Sequence, residues 1–118
     1  PRSTLFPYTT LFRSHISKQY PDMFDYVGLF SGASTGNDKS TCPVYTDFEG
    51  KLKTQFAKKP ALYFIACGKT DFVYKGVADF RKLLDDNGYK YEYLETGEGH
   101  IWRNWRIYLT EFAPKLFK

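Results

Sequence analysis

The sequence predicts one α/β domain built on a parallel sheet, and two observations carry this prediction. Segments with the apolar pattern of strands alternate along the chain with segments that have the periodicity of amphipathic helices. The run at residues 61–67, Ala-Leu-Tyr-Phe-Ile-Ala-Cys, is apolar at every position, which is typical of a strand covered on both faces in the middle of a parallel sheet. The length of 118 residues suits a single domain.

The composition excludes several classes of protein. Hydrophobic residues make up 42% and charged residues 25% of the chain, which is ordinary globular usage rather than that of a disordered segment. No apolar run approaches the roughly 18 residues of a membrane span, so no membrane partner is expected. The two cysteines form no CxxC pair or Cys/His cluster, and neither a metal nor an organic cofactor is implied. The net charge of +4 is scattered, so no nucleic acid partner is expected.

The first fourteen residues resemble the translation of a sequencing-library adapter over their whole length, PRSTLFPYTTLFRS, and they are set aside from the fold. Without Arg2 and Arg13 the net charge falls to +2. The expected organisation is an adapter-like segment at 1–14 and a truncated native domain at 15–118. The alternative is a genuine N-terminal strand at 5–12, which would favour a small, complete, non-catalytic α/β binding module.

The chain from residue 15 to residue 45 is predicted to hold the end of a helix, a strand and a loop. Residues 15–20 have a helical pattern with His15 on the surface, and Pro21 stops the helix. The apolar run 26–31 is typical of a short buried strand. Residues 34–45 are rich in Gly, Ser, Thr, Asn and Asp, which indicates a loop.

Two amphipathic helices are predicted on either side of strand 61–67. Thr46 and Glu49 have the spacing of a capping box at the start of the first helix. Its inner face holds three apolar residues at four-residue spacing: Phe48, Leu52 and Phe56. The second helix is predicted over 74–86 with the pair Asn87-Gly88 as its stop. Its inward residues are Val77, Phe80, Leu83 and Leu84.

The last two predicted elements are a strand and a helix. Tyrosines alternate with other residues over 89–94, which predicts a strand nearer the edge of the sheet. The final helix carries five large apolar residues on one stripe, which we expect to face the core: Trp102, Trp105, Leu109, Phe112 and Leu116.

Two titratable residues follow neighbouring strands, at the sheet edge where α/β proteins collect reacting groups. Asp71 comes after strand 61–67, and His100 comes after strand 89–94. A carboxylate followed by a histidine is the order that closes an α/β-hydrolase triad. There the imidazole takes the proton of a serine hydroxyl, and the carboxylate holds the imidazole in the correct tautomer. The alternatives are a helix N-cap for Asp71 and a surface loop histidine for His100, but their joint placement favours catalysis.

Four stretches of the sequence resemble the C-terminal half of an esterase-type α/β hydrolase: YPDMF at 20–24, LFSGA at 29–33, GKTDF at 68–72 and GHIWRNWR at 99–106. The resemblance is strongest to carbohydrate esterases of the feruloyl and acetyl-xylan esterase group. The His-x-Trp-x-x-Trp-Arg arrangement separates that group from its relatives, the S-formylglutathione hydrolases. The resemblance implies a secreted or periplasmic serine carboxylester hydrolase acting on plant-polysaccharide esters, with Asp71 as the triad acid and His100 as the base.

The triad nucleophile is expected outside this chain, because the resemblance places it in a G-x-S-x-G elbow upstream of residue 15. Ser31 has Leu29 and Ala33 where that motif needs glycine, and the sequence does not encode the strained turn of an elbow. Ser31 is therefore interpreted as structural. Trp102 is a candidate contact for a phenolic acyl group, whereas helix packing is favoured for Trp105.

Other functions stay open beside this interpretation. The first is another hydrolase or acyltransferase of the same superfamily, such as a thioester hydrolase or a siderophore esterase. The second is the binding module described above. Cys67, inside an apolar strand, is expected to be an inert buried thiol. The chain alone is expected to self-associate, because apolar strands that lose their cover expose edges and patches.

Overall fold

A computed structural model describes residues 15–32 and 46–117 of the chain. Within these residues, three strands form one parallel sheet in the order β1-β2-β3: β1 (Tyr26–Phe30), β2 (Leu62–Gly68) and β3 (Glu92–Thr96). Three helices alternate with the strands: α1 (Phe48–Ala57), α2 (Tyr74–Asp86) and α3 (Trp102–Phe112). Residues 15–19 are also helical, and short 3-10 turns lie at Pro21–Met23 and Ala113–Lys115.

The central strand β2 organises the core, as its continuous apolar run predicts. All seven of its residues are buried, because it pairs with a strand on each side and helices cover both faces. One face packs Tyr63, Ile65 and Cys67 against the apolar sides of α1 and α2. The other face packs Leu62, Phe64 and Ala66 against Tyr108 of α3. The prediction of an α/β domain with a parallel sheet is confirmed.

Helix α2 has the predicted bounds because its C-terminal stop is encoded locally. Gly88 adopts a left-handed backbone with φ of 70°, which glycine reaches without a steric penalty. The amide of Gly88 donates to the carbonyl of Asp85 at 3.0 Å, and the amide of Tyr89 donates to the carbonyl of Leu84 at 2.9 Å. This pair of bonds is a Schellman motif, which satisfies carbonyls that the helix end leaves open.

The capping box predicted for α1 places the N-cap one residue too early. The residue at the N-cap is Asp47 rather than Thr46, and it has a left-handed backbone with φ of 51° instead of the extended conformation that the box requires. The helix therefore begins at Phe48. Its inner face is as predicted, since Leu52 is buried and both phenylalanines pack against the core.

Strand β3 begins three residues later than predicted. The alternating tyrosines at 89 and 91 lie before it, because the end of the Schellman motif and the stacking of Tyr89 on Phe56 at 4.4 Å occupy this segment. Pairing with β2 then sets the strand from Glu92, opposite Phe64, to Thr96, opposite Gly68. The strand therefore also extends two residues beyond the end that the tyrosine pattern predicts.

The apolar stripe predicted for α3 is only partly correct. Trp105 and Phe112 pack against the core, but Trp102 and Leu109 are exposed over 60% and 55% of their surface. The fully buried residues of α3 are Asn104 and Tyr108. The helix face that packs on the sheet is therefore centred on these two residues rather than on the apolar stripe. A second correction concerns His15, which is buried rather than on the helix surface.

Some predictions fall outside the described residues. The adapter-like segment at 1–14, the alternative strand at 5–12 and the loop at 34–45 all do so. Among the helices of the described part, none has both the length and the apolar character that a bilayer crossing requires.

Self-association of the chain stays a prediction that the surface supports. Eight large apolar residues of the described part are exposed: Tyr20, Met23, Phe72, Ile101, Trp102, Ile107, Leu109 and Phe117. Because β1 and β3 are the outer strands of the described sheet, we expect edge pairing and apolar contact between copies. Sedimentation velocity should show the mean mass rising with protein concentration. A monomer at every concentration would contradict this expectation.

Candidate active site

Asp71 lies just beyond the carboxyl end of β2, in the turn that leads to α2. Its amide donates to the carbonyl of Gly68 at 3.1 Å, and its Oδ1 accepts from the amide of Val73 at 3.0 Å. The carboxylate thus bonds the backbone near the helix start, which is part of the role that the N-cap alternative gave it. Its side chain is completely buried, so the negative charge needs a further partner.

That partner is His100, which follows β3 in the glycine-flanked turn Gly97-Glu98-Gly99. Its Nδ1 lies 3.0 Å from Oδ2 and 3.2 Å from Oδ1 of Asp71. Since an ionised carboxylate only accepts hydrogen bonds, Nδ1 carries the proton and donates it. The imidazole is thereby held in the tautomer whose Nε2 is a free acceptor. Within the described part of the chain Nε2 makes no hydrogen bond, and the ring is about one-fifth exposed.

Aromatic rings surround the imidazole. The ring of Phe72 lies 4.7 Å from that of His100, and the ring of Trp105 meets it edge-on at 4.9 Å. Trp102 packs against Trp105 at 5.1 Å and therefore lies one ring farther from His100. Phe72 is 77% exposed, so an apolar surface opens beside the imidazole. The sequence did not mark Phe72 as a site residue, although it directly follows the candidate acid.

The two loops that carry Asp71 and His100 pack closely on each other. A Cβ atom added at Gly68 would fall well inside contact distance of the Glu98 carbonyl oxygen, and it would lie 2.9 Å from Nδ2 of Asn104. A Cβ at Gly99 would lie 3.4 Å from the backbone and the hydroxyl of Thr70. Glycine is therefore needed at Gly68, where the backbone of the histidine loop, residues 97–101, approaches the end of β2.

Ser31 has a strained backbone, so the prediction that the sequence encodes no strained turn at this position is wrong. Its φ is 52°, in the left-handed region that residues with a side chain rarely adopt. Its amide donates to the carbonyl of Ala66 at 2.8 Å, which ties the residue to β2. The side chain is buried, and its hydroxyl lies near the Tyr108 phenol without a hydrogen bond of normal geometry among the described residues. A buried hydroxyl supports the structural interpretation of Ser31.

Cys67 is buried in β2 and packs in the core, as predicted. Burial, together with the negative charge of Asp71, raises the pKa of its thiol to about 12. The thiol therefore stays protonated and is a poor nucleophile. Across residues 15–32 and 46–117, no group of three His, Cys, Asp or Glu side chains could hold a metal ion.

The sequence matches no family model. Among solved structures, the chain is similar to the apoenzyme of S-formylglutathione hydrolase (FrmB) from Staphylococcus aureus, with a TM-score of 0.66 and 18% sequence identity. The likeness covers 90% of this chain and 47% of that enzyme, so the chain spans about half the length of its structural neighbour. At this identity the likeness shows the fold, and the chain has the fold of part of an α/β hydrolase.

Proposed function

We propose that the chain is the part of a serine ester hydrolase that supplies the acid and the base of a Ser-His-Asp triad. The observation that carries this proposal is the hydrogen bond of 3.0 Å between the buried Asp71 carboxylate and Nδ1 of His100. The proposal places the nucleophilic serine upstream of residue 15 in a longer protein. It is in line with the half-length match to an enzyme of the same fold.

The geometry suits acyl transfer through an acyl-enzyme. Nε2 of His100 would remove the proton of the serine hydroxyl as its oxygen attacks the ester carbonyl, and would then protonate the leaving alcohol. Asp71 would stabilise the imidazolium that forms between these two transfers. Water, activated by the same Nε2, would release the acid in the second half-reaction.

The proposed substrates are feruloyl or acetyl esters of plant polysaccharides. The resemblance of the GHIWRNWR stretch to carbohydrate esterases supports this class. The exposed rings of Phe72 and Trp102 near His100 also support it, because a flat apolar surface suits a phenolic acyl group. Trp102 would touch the acyl group from a position one ring away from the imidazole.

A second candidate is a thioester hydrolase. The observation that favours it is the similarity in fold to an enzyme that is named as a hydrolase of S-formylglutathione. Both candidates use the same triad, and they differ only in the atom that leaves the tetrahedral intermediate.

The experiment uses the extended protein, in which residues 15–118 are preceded by the residues that the recovered upstream gene encodes, in place of residues 1–14. Its kcat/KM would be measured on methyl ferulate, on acetylated xylo-oligosaccharides and on S-formylglutathione, with His100→Ala as the control. A preference of about tenfold or more for an oxygen ester supports the first candidate. The reverse preference supports the second. Hydrolysis that is unaffected by His100→Ala would contradict both.

The 118-residue chain alone is expected to show no His100-dependent hydrolysis. An acid and a base without a nucleophilic serine cannot form the acyl-enzyme, so the fast path to the product is missing and no burst can occur. The measurement is the release of p-nitrophenol from p-nitrophenyl acetate by the chain and by its His100→Ala variant. A burst of product that only the parent chain gives would show that the nucleophile lies within these residues.

A further inference from the structure

A buried side-chain amide next to the histidine loop has no part in the proposed triad. Asn104 is completely buried near the start of α3, and its Nδ2 donates to the carbonyl oxygen of Gly99 at 2.7 Å. This carbonyl belongs to the peptide group that joins Gly99 to His100. Because a planar peptide fixes the direction in which the next residue leaves, a bond to it orients the backbone of His100.

Asn104 also lies where the two halves of the candidate site meet. Its Nδ2 is close to the end of β2, since a Cβ at Gly68 would lie 2.9 Å from it. The carbonyl of Gly68 accepts the amide of Asp71 at 3.1 Å, so the acid is anchored at the same point. One buried side chain therefore bonds the segment that holds His100 and lies beside the end of β2, from which the segment of Asp71 follows.

The other contacts of the loop are less suited to fixing it. Glycines at 97 and 99 leave the turn with intrinsic backbone freedom. The ion pair between Arg103 and Glu98 lies on the surface, with side chains 73% and 42% exposed, and such pairs contribute little. The carbonyl of Gly99 also accepts the amide of Ile101 at 2.9 Å, but that bond lies inside the loop, whereas the bond from Asn104 attaches the loop to α3.

The energetics of Asn104 do not favour it as a packing residue. Its Oδ1 is buried and has no hydrogen-bond partner in the described residues, which is unfavourable for stability. A leucine, whose side chain has the same branching and the same number of heavy atoms, would remove that unpaired acceptor, and the Gly99 carbonyl would still be satisfied by Ile101. If Asn104 contributed only to stability, leucine would therefore suit this position equally well.

We propose that Asn104 is a positioning residue that holds the Gly99–His100 peptide so that Nδ1 of His100 stays on the Asp71 carboxylate. The inference rests on the proposed function for its catalytic meaning, but the geometry can be tested without activity. The role lies in the hydrogen bond that the amide group of Asn104 donates, and a residue that only filled space on the buried helix face would not need that bond.

The test is the protection of the Nδ1 proton of His100 in the ¹⁵N-labelled 118-residue chain, measured by NMR as its exchange rate with water. The chain has two histidines, so a His15→Gln variant assigns the signal. We expect exchange to accelerate about tenfold in Asn104→Leu and in Asn104→Asp, because both lose the donor. The melting temperature of Asn104→Leu should stay within a few degrees of the parent.

Two control variants separate the possible outcomes. Tyr108 lies on the same helix as Asn104, and its hydroxyl is 3.0 Å from the hydroxyl of Thr96 at the end of β3. Tyr108→Phe removes this contact and should leave the exchange rate unchanged. Asp71→Asn should abolish protection. If Asp71→Asn abolishes it while Asn104→Leu has no effect, or if Tyr108→Phe has the same effect as Asn104→Leu, the positioning role is overturned and the proposed function stands. If the parent chain shows no protected Nδ1 proton, the Asp71–His100 pair itself is overturned.

Discussion

Replacing Gly68 with alanine is expected to lower the free energy of unfolding by about 3 kcal/mol. The new methyl group would overlap the carbonyl oxygen of Glu98, which is backbone and cannot rotate away. Strand β2 cannot move either, because it is buried along its whole length between two strands. The histidine loop would have to leave the end of β2, and the Asp71–His100 bond would break with it.

Urea denaturation followed by circular dichroism, at concentrations low enough to limit self-association, measures the effect. Gly97→Ala is the matched control from the same loop, since no atom lies within 4 Å of a Cβ added there. Its unfolding free energy should change by no more than about 0.5 kcal/mol. Equal stability of the two variants would show that the loop does not rest on the end of β2.

Asp71→Asn is expected to reduce kcat of the extended protein by about 10⁴-fold. The amide group of asparagine is nearly the same shape as the carboxylate, but it can present a donor to Nδ1 and so favour the tautomer with the proton on Nε2. That tautomer cannot accept the proton of serine. The buried position excludes water as a substitute acceptor, because the Asp71 side chain has no exposed surface.

Steady-state hydrolysis of the preferred ester, with circular dichroism to verify folding, measures this loss. Asp79→Asn is the matched control, an exposed aspartate on α2 that undergoes the same chemical change. We expect it to retain kcat within about twofold, as for a surface substitution. A decrease of less than tenfold in Asp71→Asn would mean that another group orients His100.

The parts of the fold that the sequence predicts well are those whose signals are local. Strand β2 is recognisable because seven buried positions need an unbroken apolar run, and α2 because the Asn87-Gly88 pair encodes its end. The signal that sets the start of β3 is not local, since it depends on pairing with Phe64 and on the stacking of Tyr89 on Phe56. The tyrosine alternation therefore predicts a strand in this part of the chain, but its predicted start is three residues too early and its predicted end two residues too early.

The candidate site divides in the same way. Asp71 and His100 can be found from their order after successive strands, because the topology of a parallel sheet brings those positions together. Gly68 could not be found so, because its importance arises from the close approach of Glu98, 30 residues later in the chain. Asn104 bonds to Gly99, only five residues earlier, but the folded course of the loop brings the two together. A polar residue beside an apolar helix stripe is the one local signal for Asn104. The strain at Ser31 left no signal, since serine is not a residue that marks a left-handed backbone.

The measurement that tests the central claim most directly is covalent labelling of the extended protein by a fluorophosphonate, followed by mass spectrometry of its peptides. We expect one modified serine upstream of residue 15 and a loss of labelling in His100→Ala, because the imidazole bonded to Asp71 activates that hydroxyl. Labelling that is equally fast in His100→Ala, or no modified serine at all, would contradict the assignment of Asp71 and His100 to a serine hydrolase triad.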